Sequence, residues 1–334
     1  MLFQEPILQW LLQNGGFMDS QVFILNEKRN VTLTAYLQDD SQEFWRAKKR
    51  PAVVIFPGGA YAYCSDREAD PVAQEYLRAG YHAFVLRYSV GWENAVWPNP
   101  LEDYDQAMEL IAAHAKEWHL IPEKIAVIGF SAGGHLAACA ATMAKHRPAA
   151  AILAYPVILE GLAAICAKGA PGADKAVDSQ TCPCFIAATG TDTTVSAMNS
   201  LRFVEALYEN GISAELHLYA FGPHGFSTAR TSIADPAELC SRTLHWVEDT
   251  ISWLEDVFGA FTSGEMSSPR CPGRVRKDKD PYLSVDCLLA TIAENQIAVE
   301  RLNQLILVEE TTQKWIAEQK ENLLTSEMTL RSAL

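Results

Sequence analysis

Three side chains whose types together perform acyl transfer stand far apart in this chain of 334 residues: Ser131, Asp192 and His224. A serine hydroxyl is a weak nucleophile near neutral pH. It needs a general base, a carboxylate to orient that base, and donors for the oxyanion that attack creates. Ser131 is the centre of Gly129-Phe130-Ser131-Ala132-Gly133, which follows the apolar run Ile125 to Ile128 and opens the Ala-rich stretch Ala132 to Lys145. Strand, sharp turn and helix in this order predict a nucleophile elbow that exposes the serine Oγ above a sheet. Side chains two positions before and after the serine would collide in such a turn, and glycine stands at both.

Asp192 comes just after the apolar run Cys184 to Ala188, and His224 just after Ala214 to Tyr219, so both are expected at strand ends. The other seven histidines fit the base role less well. His82 opens a strand, His217 lies within one, and His114, His119, His135, His146 and His245 are expected on helices. Asp174 and Asp178 precede the strand at 184, at its wrong end, and Asp235 follows the histidine. Gly58-Gly59-Ala60 directly follows the strand Ala52 to Phe56. The expected oxyanion donors are the N–H of Ala132 and one from Gly58, Gly59 or Ala60, with Gly59 foremost. Tyr61, Tyr63, Trp92, Trp97 and Phe226 lie on loops expected near the mouth, where aromatic walls suit sugar rings or aryl acyl groups.

The elements that must position these groups follow from the apolar period. Val22 to Leu25 and Val31 to Leu37 alternate like an antiparallel edge pair. Strands are then expected at 52–56, 81–88, 125–128, 150–155, 184–188 and 214–219. Helices are expected over 68–79, 101–118, 132–145, 197–210 and 236–258, with a short helical piece at 161–167. Repeated β-α units predict an α/β fold with a doubly wound, mostly parallel sheet, and ligands belong at the carboxyl ends of its strands. The domain reading is an N-terminal extension at 1–17, a catalytic domain at 18–261, a linker at 262–281 and a helical tail at 282–334. The tail lacks glycine and proline and carries a heptad pattern with Val285, Ile292, Val299 and Ile306 on one seam. It is read either as a homo-oligomerisation element or as an amphipathic helix packed on its own domain.

A net charge of −14 opposes binding to phosphate backbones and anionic membranes, so neither nucleic acid nor membrane is an expected partner. The basic group Arg270, Arg274, Arg276, Lys277 and Lys279 sits in Pro/Ser/Gly-rich sequence and reads as solvated linker. No apolar run approaches the roughly 18 residues of a membrane helix. The first 16 residues lack the basic start and small-residue site of a secretory signal, so a cytoplasmic location is expected. Eight cysteines are scattered without zinc-site spacing, which reads as reduced thiols, and no metal or organic cofactor is expected.

The motifs resemble the α/β-hydrolase superfamily, specifically small esterases of the acetyl esterase, acetylxylan esterase and feruloyl esterase-like (BD-FAE-like) group. The resemblance spans about residues 20–257. It rests on Pro57-Gly58-Gly59-Ala60-Tyr61, the segment Ser65 to Ala73, Gly129 to Ala137, Tyr155-Pro156, Asn199-Ser200-Leu201 and His224-Gly225-Phe226. The chain order Ser, Asp, His is that of the superfamily. The resemblance implies Ser131 as nucleophile, Asp192 as orienter and His224 as base, acting on a small ester, in particular a short-chain acyl (acetyl) ester, carbohydrate included. Two departures stand out: Pro57 replaces the histidine of a His-Gly-Gly-Gly loop, and Ser196 replaces a proline after Asp192. The rival readings are an amidase or peptidase of the same fold, formamidase-like for example, and a non-catalytic scaffold that uses the tail.

Overall fold

The computed structural model of the protein describes residues 18–38 and 42–275. Eight strands form one sheet: β1 (Met18–Asn26), β2 (Val31–Gln38), β3 (Arg50–Phe56), β4 (His82–Arg87), β5 (Leu120–Phe130), β6 (Ala150–Ala154), β7 (Cys184–Thr189) and β8 (Ala214–Tyr219). Their spatial order is β1-β2-β4-β3-β5-β6-β7-β8. β2 runs antiparallel to both β1 and β4, and every later neighbour pair is parallel. The edge pair obeys period-two patterning, since Val31, Leu33, Ala35 and Leu37 are buried while their alternates are half-buried. β3, β6 and β7 are buried at every residue, as required of strands covered by helices on both faces.

Among the described residues six helices provide that cover: α1 (Asp70–Arg78), α2 (Asn99–His114), α3 (Ala132–Met143), α4 (Glu160–Cys166), α5 (Met198–Glu209) and α6 (Trp246–Phe258). Successive residues of one strand feed opposite cores. Val54 and Phe56 pack with Tyr104 of α2, Leu136 of α3 and Phe203 of α5. Val53 and Ile55 pack with Tyr76 of α1 and with Trp246 and Leu254 of α6. The expected doubly wound α/β sheet is therefore present, and it lifts the ends of β3, β5, β7 and β8 to a common rim.

Several boundaries differ from the sequence expectation. The last helix begins at Trp246 rather than near Pro236. Residues 236–238 and 241–245 are separate 3-10 turns, the first capped by the Asp235 carboxylate, which accepts the Ala237 N–H at 2.9 Å. Leu239 between them is extended, and Leu239 and Cys240 are both buried in the core, so packing overrides the helical period there. The helix after β4 stops at His114 and not at Trp118, and His119 takes a positive φ of 52° before β5 starts.

Residues 262–275, linker-like in composition, lie along the domain. Ser213 N–H donates to Gly273 O at 3.2 Å, and Val275 N–H to Gly211 O at 3.0 Å. The Arg274 guanidinium donates to Thr181 O (2.7 Å) and Ser179 O (2.6 Å), and Arg270 pairs with Asp256. Arg270 and Arg274 remain exposed, as the solvated reading expects, while making these contacts, and Arg276, Lys277 and Lys279 lie outside the described residues. The readings at 1–17 and 282–334, and the part of the linker reading from 276 onward, lie outside the described residues. No described helix is long and apolar enough to cross a membrane.

Candidate active site

The turn between β5 and α3 holds Ser131 at φ 53° and ψ −113°, a strained conformation for a residue with a Cβ. The surroundings over-determine it. Ser131 N–H donates to Ala154 O at 3.0 Å, and Ser131 O accepts from His135 N (3.1 Å) and Val157 N (3.0 Å). The flanking glycines are a steric necessity. A Cβ on Gly129 would stand 2.0 Å from Gly133 O, and one on Gly133 would stand 2.0 Å from Phe56 O.

Ser131, His224 and Asp192 meet although 93 and 32 residues of chain separate the bonded pairs. His224 Nε2 lies 2.9 Å from Ser131 Oγ, and His224 Nδ1 lies 2.6 Å from Asp192 Oδ2. A carboxylate can only accept, so Nδ1 carries the ring proton and Nε2 presents its lone pair to the serine hydroxyl. The Asp192 side chain is 1% exposed and that of His224 is 18% exposed. Burial alone would raise the Asp192 carboxyl. The His224 imidazole and the N–H groups of Val195 and Thr194 outweigh it and hold the group below its usual value. Those two amides reach Asp192 Oδ1 at 2.9 and 2.8 Å, so one oxygen is fixed by its own loop and the other is free for the imidazole. Ser196, in the place of the family proline, leaves this loop intact. Its carbonyl accepts from Asn199 Nδ2, while Asn199 Oδ1 takes the N–H of Ile158 and Leu159 at 3.0 Å each.

The expected oxyanion donors separate into two sets. Gly58 N–H donates to the buried Glu68 Oε2 at 2.8 Å, so it is already engaged and does not serve. The amides of Gly59, Ala60 and Ala132 have no backbone acceptor among the described residues. Ala132 is the first residue of α3, where helix N–H groups lack intrahelical partners. Gly59 at φ 124° and Ala60 at φ 52° turn the loop there.

Two of the five expected aromatic walls are corrected. Tyr61 is 1% exposed and donates its hydroxyl to His135 Nδ1 at 2.8 Å, and Phe226 is 1% exposed, 4.6 Å from the Tyr155 ring. Both belong to the core, where Tyr61 packs edge-on against Tyr88 and Phe226 against Trp246. Trp97 is half-buried with its ring 5.5 Å from His135. Tyr63 and Trp92, 61% and 78% exposed, stand open on the loops after β3 and β4. A cavity of about 400 Å³ lies instead beside β8, lined by Trp253, Asp256 and Arg270 among others, and contains none of the expected site residues.

Three supporting residues had no role in the sequence reading. Glu68, 3% exposed, accepts from Gly58 N–H and from the Tyr155 hydroxyl. Tyr155 packs edge-on against the His224 ring at 4.9 Å. His135 Nε2 faces Pro171 O at 2.8 Å, which sets its tautomer, and burial pulls its pKa down to about 4, so the ring is neutral. The only sequence signal for these residues was their place in the matched segments.

The BD-FAE family model matches residues 43–157. The chain is 31% identical over 259 residues to endo-1,4-beta-xylanase B of Butyrivibrio fibrisolvens, covering 68% of this chain and 38% of that protein. It is 29% identical over 197 residues to the acetylxylan esterase of Xylanibacter ruminicola, covering 52% and 41% respectively. The chain thus spans about two-fifths of the length of these curated relatives. Among solved structures, MGS-M1, an alpha/beta hydrolase enzyme from a Medee basin deep-sea metagenome library, is 41% identical with a TM-score of 0.66. That match covers 72% of this chain and 98% of the other. With the strand order, the elbow and this likeness in hand, the chain belongs to the α/β-hydrolase superfamily, among relatives named as esterases.

Proposed function

We propose that the protein is a serine carboxylesterase that hydrolyses short-chain acyl esters, acetyl esters foremost, with carbohydrate as the alcohol. The observation that carries this reading is the continuous path from Asp192 Oδ2 through His224 to Ser131 Oγ, with bonds of 2.6 and 2.9 Å. His224 Nε2 takes the proton from Ser131 Oγ as that oxygen attacks the ester carbonyl, and Asp192 stabilises the imidazolium. The N–H groups of Ala132 and of Gly59 or Ala60 receive the oxyanion. The alcohol leaves with the proton, and water then attacks the acyl-enzyme along the same route. The name of the Xylanibacter relative and the exposed rings of Tyr63 and Trp92 support an acetylated sugar as substrate.

A panel of p-nitrophenyl acetate, longer acyl esters, acetylated xylose oligomers and a formyl-amide tests both parts. The expected order places acetyl esters first, with Ser131→Ala reducing turnover by about 10³-fold or more at unchanged fold. Faster cleavage of the formyl-amide, or undiminished hydrolysis by Ser131→Ala, overturns the proposal.

A further inference from the structure

Glu68 is a buried carboxylate, 3% exposed, with no cation paired to it among the described residues. A carboxylate so placed is costly unless donors surround it, and here both oxygens are engaged. Its two oxygens face two different parts of the site. Oε2 accepts Gly58 N–H at 2.8 Å, at the base of the loop that offers Gly59 and Ala60. Oε1 accepts the Tyr155 hydroxyl at 2.7 Å. Tyr155 Oη in turn accepts the Ser227 N–H at 3.0 Å, so its own proton belongs to Glu68. Ser227 lies three residues after His224, and the Tyr155 ring packs on the imidazole at 4.9 Å. A second tie runs in parallel, from Ser227 Oγ to Arg67 O at 2.5 Å. The carboxylate also sits hard against the nucleophile turn. A Cβ on Gly58 would meet Glu68 Oε2 at 2.6 Å and Ser131 Cβ at 3.1 Å.

We infer that Glu68 is a positioning residue: by holding Gly58 N–H on one side and the Tyr155–Ser227 pair on the other, it keeps the oxyanion loop and the histidine loop in one register. Engaging the Gly58 amide has a further consequence. The loop is pinned at its first glycine, which leaves the next two amides as the donors aimed outward. This inference rests on the proposed serine-esterase reading, and it adds a residue that touches neither substrate nor the reacting atoms.

The test is Glu68→Gln together with Tyr155→Phe, each checked for native far-UV circular dichroism. Glutamine keeps the shape but offers one acceptor oxygen and one NH2 donor, so the contact with Gly58 is broken or that with Tyr155 is broken or reversed. An oxyanion donor that is displaced, rather than deleted, should lower kcat for p-nitrophenyl acetate about 10- to 100-fold, below the loss for a deleted donor. KM should stay within about threefold, because ground-state binding is not the target. The affinity for an aryl trifluoromethyl ketone, which forms a tetrahedral adduct, should weaken by the same factor as kcat/KM. Tyr155→Phe should give a loss of the same kind, and the double variant should lose less than the product of the two, since both cut one chain of contacts. Wild-type kcat in Glu68→Gln with Ser131→Ala inactive overturns the positioning role and leaves the nucleophile reading standing. A loss confined to KM, or a ketone affinity that does not move, overturns it as well. If Glu68→Gln does not fold, Tyr155→Phe alone decides by the same readouts. Turnover retained by Ser131→Ala removes the premise and the inference with it.

Discussion

Gly133→Ala tests how tightly the fold holds the nucleophile turn. The added Cβ would stand 2.0 Å from Phe56 O and 2.6 Å from Pro57 O, both backbone atoms at the buried end of β3. Carbon-to-carbonyl contacts settle near 3.3 Å, so the N-terminus of α3 must retreat by roughly 1.3 Å. That end carries Ser131 Oγ and the Ala132 amide, while β3 is fully buried and cannot yield easily. A misplacement of about 1 Å costs on the order of 10²-fold in rate. The overpacking itself should destabilise by about 1–3 kcal/mol. The expected result is a kcat for p-nitrophenyl acetate lower by about two orders of magnitude and a Tm lower by several degrees. Gly161→Ala is the control, since a Cβ there meets nothing within 4 Å. It should leave rate and Tm unchanged or slightly raised. A Gly133→Ala protein with kcat within twofold of wild type and an unshifted Tm would refute the steric argument for the elbow.

Three further outcomes follow from other parts of the molecule. His82 and His135 are buried with pKa values pulled down to about 4, by desolvation first in each case. Their unfolded values lie near 6.5, so acid protonates the unfolded chain first. Their contribution is therefore complete above about pH 6.5 and is lost as pH falls toward 4, on the order of 3 kcal/mol per group. Urea denaturation at pH 7, 5.5 and 4.5 should show stability falling, and a flat profile contradicts the assignment. A chain ending at Phe261 loses the contacts of Gly273 and Arg274 with Ser213, Thr181 and Ser179, whereas one ending at Lys277 keeps them. The shorter form should melt several degrees lower. Size-exclusion of the Lys277 form against the full chain tests whether 282–334 drives self-association, with a smaller apparent mass per chain expected for the truncated protein.

The sheet was legible in the sequence because strands covered on both faces must be apolar throughout, as in Ala52 to Phe56 and Ala150 to Ala154. The elbow was legible because its steric demand falls on adjacent residues, and glycine at 129 and 133 answers it locally. The positions of Asp192 and His224 followed from strand ends and chain order. What could not be read locally depends on backbone direction or distant partners. Tyr61 and Phe226 look like mouth residues, but Tyr88 and His135 enclose the first and Tyr155 and Trp246 the second, all from distant segments. Glu68 looks like an ordinary residue at a helix start, and its partners Gly58 and Tyr155 come from other segments, the latter 87 residues away. The start of the last helix failed for a third reason. The period from Pro236 onward suited a helix, but burying Leu239 and Cys240 required extended chain.

That Ser131 is the activated nucleophile, as proposed, is tested by reaction of the full chain with a fluorophosphonate, followed by mass mapping of the peptide that contains residue 131. One adduct is expected, on Ser131, with its formation strongly slowed in His224→Ala. A folded wild-type protein that stays unlabelled, or that carries the adduct on another residue, contradicts it.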